Sequence, residues 1–203
     1  MKLRPQKDTI LYGDCRNTIP TIHERVQMCV TSPPYYGLRD YGGESSQIGQ
    51  EQTPEEYIEE LVKVFREVKN VLADDGTLWL NIGDSYYNYR PGKGQSYPKQ
   101  TVSKTKQDLP DECNKRGNKL DGLKEKDLIG IPWLFAFAMR ADGWYLRQDI
   151  IWHKPNPMPE SVRDRCTKSH EYIFLFSKNR KYYYDNEAIK EPAKDWGTRD
   201  RTN

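Results

Sequence analysis

The apolar residues of this chain fall into short blocks separated by polar and proline-rich punctuation, and each block predicts an element. Thr9-Ile10-Leu11-Tyr12, closed by Gly13-Asp14, predicts a strand ending in a turn. Residues 19–24 leave room only for a short helix. Residues 26–31 (VQMCVT) are a second apolar run, halted by Ser32-Pro33-Pro34. Proline has no N–H for a sheet ladder and holds the residue before it extended, so the strand must stop there. The clearest helix comes next. Thr53 is placed as N-cap, Pro54 at the first helical position and Glu56 at the third, a capping box. Ile58, Leu61, Val62, Phe65, Val68 and Leu72 then recur on one helical face. Asp74-Asp75-Gly76 ends the helix, and residues 77–82 (TLWLNI) predict a buried strand closed by Gly83-Asp84.

Residues 85–126 break the pattern. They are rich in Lys, Gly, Asn, Gln and Ser without periodicity, which predicts a long flexible insertion. Residues 128–139 predict an apolar helix with Pro132 in its first turn, and Gly143 punctuates before a strand over residues 145–153 (YLRQDIIWH). Residues 155–169 predict a loop holding prolines and arginines. Residues 172–177 (YIFLFS) and 181–184 (KYYY) predict a hairpin across 178–180. Strands joined by crossover helices make the fold class α/β: a mostly parallel sheet covered on both sides, with an antiparallel hairpin at one edge. One domain is expected over residues 1–192, with 193–203 a tail or the start of a further region.

Composition narrows the function classes. A chain of 203 residues can bury one sizeable core. No apolar run approaches 18 residues and Met1-Lys2-Leu3-Arg4 opens no signal-peptide stretch, so a soluble cytoplasmic protein with no membrane contact is expected. Cys15, Cys29, Cys113 and Cys166 are scattered, with no C-x-x-C pair and no His at ligand spacing. That argues against a metal and against disulfides. The net charge of +2 conceals an asymmetry: residues 1–83 sum to −4, while 84–126 and 140–181 are each +4. Such a balance suits one face turned toward a polyanion, although solvated basic loops produce it too.

The residues richest in chemistry are Thr31-Ser32-Pro33-Pro34-Tyr35, directly after a strand. Ligands of open α/β sheets bind beyond the carboxyl ends of the strands. Two prolines stiffen the turn and remove two donors, leaving carbonyls as pure acceptors, while Ser32 adds an oxygen and Tyr35 an aromatic face. Such a turn suits an extruded base bearing an NH2 group, whose lone pair is delocalised into the ring. Acceptors at Ser32 and the Pro33 carbonyl would draw that nitrogen toward tetrahedral geometry, and Tyr35 would stack on the flipped ring. Methyl transfer from a sulfonium would then depend on positioning and electrostatics. A plain polyproline-like turn is the bland reading of the same four residues.

Residues 31–42 (TSPPYYGLRDYG) resemble the catalytic motif of the amino-group DNA methyltransferases, [DNS]-P-P-[YFW], in its S-P-P-Y form. Residues 8–17 (DTILYGDCRN) resemble the family's preceding strand, whose G-D pair lies near the cofactor adenosine. Residues 126–154 and 155–185 resemble the stretches that follow in bacterial and phage members. The resemblance spans residues 8–192. It implies a Rossmann-like S-adenosylmethionine-dependent methyltransferase fold, S-adenosyl-L-methionine as cofactor and double-stranded DNA as partner. The family's Gly-rich F-x-G-x-G cofactor turn is absent; Gly92-Lys93-Gly94 follows no hydrophobic strand. With the catalytic motif first in order, that turn would lie beyond a target-recognition region toward the C-terminus. The resemblance is therefore to the N-terminal catalytic portion, and a partial fold served by a complementing chain or a homo-oligomer is expected.

On this resemblance Ser32, Pro33, Pro34 and Tyr35 are catalytic, and Asp14, Asn81, Gly83 and Asp84 bind the cofactor from strand ends. Arg39, Arg163, Arg165 and Lys168 contact DNA. Ordinary turn residues and surface ion pairs are the rival readings. Trp152 reads as core rather than as a base-stacking ring. His153 has no partner at nucleophile or metal spacing, and His170-Glu171 is no H-E-x-x-H site because Phe174 fills the second position. The serine form of the motif favours N4 of cytosine, with N6 of adenine the alternative. Methylation at carbon 5 of cytosine needs a cysteine nucleophile, usually after proline, and none of the four cysteines follows one. RNA or protein-glutamine methylation ranks lower. A catalytically silent DNA-binding or partner subunit remains a separate class, and the biological setting, restriction-modification among others, stays open.

Overall fold

The computed structural model describes residues 8–38, 47–87 and 120–192. A short helix, α1 (Cys15–Thr18), opens where the Asp14 carboxylate accepts the Arg16 backbone N–H, and it runs into a 3₁₀ turn at Ile19–Thr21. β1 (Val26–Thr31) follows. α2 (Pro54–Val71) starts as its sequence requires: the Thr53 hydroxyl accepts from the Glu56 N–H, and the Glu56 carboxylate accepts from the Thr53 N–H. Leu72 is already extended, so the chain passes from α2 straight into β2 (Leu72–Ile82). Asp74-Asp75-Gly76 therefore lies inside the strand, at a register shift opposite Val26 to Met28. A Cβ on Gly76 would stand 2.9 Å from the Ala73 carbonyl oxygen, so this irregularity needs glycine.

α3 (Ile131–Ala141), β3 (Tyr145–His153) and β4 (His170–Ser177) complete the described elements. The sheet order is β1-β2-β4-β3. β1 and β2 are parallel, and β4 is antiparallel to both β2 and β3, so three strands share one direction. The antiparallel edge pair is thus β4 with β3. Residues 181–184 form no strand, because both sides of β4 are already paired. They run back toward the start of β2 instead, where the Tyr183 N–H donates to the Asp75 carbonyl at 2.9 Å.

The core lies between the sheet and the two long helices. Leu78, Leu80, Ile82, Phe174 and Phe176 meet Tyr57, Leu61, Phe65, Phe135 and Met139, all essentially sealed from solvent. Burial of each such side chain is worth about 1.5–3 kcal/mol, which fixes α2 and α3 to this face. The expectation of a sheet covered on both sides is not met among the described residues. The opposite face carries Met28 and Val30, 53% and 69% exposed, and Trp152, 50% exposed, so Trp152 is no core residue. Residues 9–12 also differ from expectation. Ile10 and Tyr12 are 75% and 87% exposed and form no strand, for want of a described strand to pair with. The insertion at 85–126 has paired ends: the Tyr87 N–H donates to the Asp127 carbonyl at 2.8 Å and the Ile129 N–H to that of Ser85 at 3.0 Å.

Candidate active site

Four strand ends converge at one edge of the sheet. They are the carboxyl ends of β1, β2 and β3 and, because β4 runs in reverse, its amino end. Ser32 to Tyr35 leave β1 there and are held from below by α2. The Tyr57 phenol donates to the Pro34 carbonyl at 2.7 Å. Burial pushes that phenol far above its ordinary pKa, so it remains a donor at any physiological pH. Tyr36 packs its ring on Tyr57 at 5.4 Å. Gly49 closes the other side, where a Cβ would lie 3.1 Å from the Tyr35 carbonyl oxygen, while its own carbonyl accepts from the Gly37 N–H at 2.8 Å. One proline carbonyl is thus committed to the fold. The other, on Pro33, meets no donor among the described residues.

Tyr35 is half-buried and pinned at both ends. Its phenol donates toward Asn81 Oδ1 at 2.8 Å, with Glu171 Oε2 at 3.3 Å, and the Ser32 hydroxyl donates to it at 3.5 Å. The Asn81 amide nitrogen donates to the Tyr172 carbonyl at 3.1 Å, which fixes where its oxygen points. Gly83 gives the ring its room: a Cβ there would stand 2.5 Å from a ring carbon. Lys154, just past β3, pairs with Glu171 and lies 5.5 Å from the Trp152 ring centroid. Burial alone would raise the Glu171 carboxyl, but Lys154, with Asn81 and Tyr35, outweighs it and holds the group below the usual carboxylate range. At neutral pH the Glu171 carboxylate is charged.

The structure brings Ser32, Pro33, Pro34, Tyr35, Asn81 and Gly83 together. Asp84 is adjacent in sequence but turned to another task. Its carboxylate accepts backbone N–H groups from Ser85 at 2.9 Å, Gly130 at 3.0 Å and Ile131 at 3.1 Å, capping α3. Asp14 caps α1 and pairs with Arg16 at 2.5 Å. Arg165 is tied to Glu160 at 2.5 Å and stacks on Tyr86 at 4.0 Å, which fastens the 155–169 loop to the strand-end segment. Arg163 is exposed, and Lys168 lies close enough for its charge to act on Asp84. Arg39 lies outside the described residues. Sequence reasoning missed Tyr57 and Glu171, and it placed Lys154 at the strand end without giving it a role. Glu171 carried only the weak signal of a charged residue opening an apolar strand.

Among the described residues no group of three or more His, Cys, Asp or Glu could hold a metal, and no helix is long and apolar enough to cross a membrane. Known proteins resemble this chain in both sequence and fold. The chain is 53% identical over 192 residues to the Type II methyltransferase M.SmaI of Serratia marcescens, a match covering 92% of this chain and 61% of that protein. It is 48% identical over 205 residues to M.XycI of Xanthomonas campestris pv. cyanopsidis, covering 98% and 65%. The chain thus spans less than two thirds of these relatives. Among solved structures, the cytosine-N4-specific PvuII DNA methyltransferase superposes with a TM-score of 0.56 at 16% identity, over 85% of this chain and 50% of that one. A Thermus thermophilus protein described as a putative DNA modification methylase, solved with S-adenosyl-L-methionine, gives 0.53 at 21% identity, over 87% and 55%. The fold is therefore a partial Rossmann-like methyltransferase fold, as the family resemblance implied. Residues 26–203 match the family model described as DNA methylase, so the chain belongs to the N6/N4 DNA methylase family.

Proposed function

We propose that this chain carries the catalytic turn of an S-adenosylmethionine-dependent DNA methyltransferase acting on the exocyclic N4 amino group of cytosine in double-stranded DNA. One observation supports this above the others. A rigid turn at the carboxyl edge of the sheet, anchored through Pro34, leaves the Pro33 carbonyl and Ser32 Oγ as acceptors beside a pinned aromatic ring. An amino group donating one hydrogen to each acceptor is drawn toward tetrahedral geometry, and its lone pair becomes available. The acceptors are positioned before the base arrives, so they need no reorganisation as charge develops on nitrogen. When bound, S-adenosylmethionine supplies a methyl group whose bond to sulfur breaks as the bond to nitrogen forms.

The described residues fit only part of a site for that donor. Asn81 and Asp84 spend their polar atoms on the Tyr35 turn and on the start of α3, and Gly83 serves the Tyr35 ring. Asp14 is exposed, though engaged by Arg16. We therefore read Asn81 and Gly83 as the floor of the catalytic turn, and of the four residues expected to bind the cofactor we keep Asp14 as a contact. Arg163 and Lys168 are the phosphate contacts we favour, and Arg165 orders their loop. Relatives named Type II methyltransferases support a place in restriction-modification. N6 of adenine is the second reading, favoured by the breadth of the family. The test is incubation with labelled S-adenosylmethionine and DNA, then digestion to nucleosides. Label on N4-methylcytosine supports the proposal, label on N6-methyladenine selects the second reading, and absence of label rejects both.

A further inference from the structure

The catalytic turn is wired to a second layer of polar groups, and the wiring has a direction. The Tyr35 phenol has one proton. Two of its neighbours, Asn81 Oδ1 at 2.8 Å and Glu171 Oε2 at 3.3 Å, can only accept. The asparagine presents its oxygen to the phenol, because its nitrogen is turned toward the Tyr172 carbonyl at 3.1 Å. The glutamate cannot readily become a donor either, because Lys154 pairs with its other oxygen. The Tyr35 proton is therefore committed inward, and the phenol oxygen turns a lone pair toward Ser32. Ser32 Oγ, 3.5 Å away, finds its only described acceptor there. That separation is long for a hydroxyl pair, so the contact biases the direction of the serine proton and adds little to the stability of the turn.

From this we infer that Asn81 and Glu171, acting through Tyr35, set the polarity of Ser32, so that its hydroxyl oxygen faces the target base as an acceptor alone and admits an amino group while rejecting a carbonyl. The inference rests on the amino-group reading above. It makes Asn81, Glu171 and Lys154 positioning residues and gives the tyrosine hydroxyl a role in discrimination beyond stacking. Ser32 is exposed here, so the discrimination acts once a bound base excludes water: a site arranged to accept from a donor then rejects an analogue presenting an acceptor, since two lone pairs face each other. With the proton of Ser32 released, the same oxygen could turn and donate to a carbonyl.

The test uses the whole chain and a duplex containing its target site, mapped from the positions it methylates. The target position, kept opposite guanine, carries cytosine, uracil or pyrimidin-2-one, which present an amino group, a carbonyl or neither at ring carbon 4. Binding constants are measured for wild type and Tyr35→Phe. Wild type should bind the uracil duplex at least about tenfold more weakly than the pyrimidinone duplex, the scale of one mismatched hydrogen bond. Tyr35→Phe keeps the ring against Gly83 but frees the serine proton, so that ratio should shrink by about threefold or more. A merely structural tyrosine hydroxyl would weaken all three duplexes alike and leave the ratio unchanged, which would overturn the inference while wild-type methylation of an amino group still stands. Absence of any methylated amino group with wild type removes the reading and the inference together.

Discussion

At the scale of single residues, the chemistry turns on what surrounds the Tyr35 ring. Gly83 has an ordinary backbone conformation, so its lack of a side chain answers to the ring and not to its φ angle. Gly83→Ala should displace Tyr35, lowering stability by about 1–3 kcal/mol, as overpacking does, and methyl transfer with it. Thermal unfolding and the rate of label incorporation measure the two effects. Tyr57→Phe removes the donor to the Pro34 carbonyl and should cost about 1 kcal/mol, read in denaturant unfolding. Glu171 makes a prediction with a sign. Its carboxyl loses its proton more readily in the folded than in the unfolded protein, so between the two pKa values the unfolded chain binds more protons. Its contribution is present above the unfolded carboxyl range, near 4.5, and is lost as pH falls through the folded value. The difference in melting temperature between wild type and Glu171→Gln should accordingly be present at neutral pH and shrink in acid.

At the scale of elements, what was legible in the sequence was what depends on neighbours along the chain. The Thr53–Glu56 capping box and the start of α2 at Pro54 are local devices, and both stand where the residues place them. Thr53→Ala should cost about 1 kcal/mol, and for a protein of this size that lowers the melting temperature by about 2–4 °C. Strand pairing is not local, and there expectation and structure part. KYYY at 181–184 has every mark of a strand, yet β4 is already paired with β2 and β3. Trp152 has the composition of a core residue but falls on the open face of β3. The turn proposed as catalytic follows the same division. Its four residues are contiguous and readable, whereas Tyr57, Asn81 and Glu171 stand 23, 46 and 136 positions from their partners in it. Nothing in a polar residue's own surroundings says that a tyrosine hydroxyl will be delivered to it.

At the scale of the whole sheet, its two faces differ among the described residues. Among these residues one face is sealed by α2 and α3, and the other presents Met28, Val30 and Trp152. Of the residues expected to hold the methyl donor, Asn81 spends its polar atoms on β4 and the Tyr35 phenol, and Asp84 spends its own on the start of α3. The reading proposed for the turn is that Ser32 and the Pro33 carbonyl direct methylation to an exocyclic amino nitrogen. The decisive measurement compares wild type with Ser32→Ala in the same reaction, with S-adenosylmethionine and DNA digested to nucleosides and the methylated bases quantified by mass spectrometry. Wild type should yield N4-methylcytosine and Ser32→Ala at least about tenfold less, the loss expected for one well-placed acceptor. Equal yields from the two proteins, or methyl groups found on carbon 5 of cytosine, would contradict that claim.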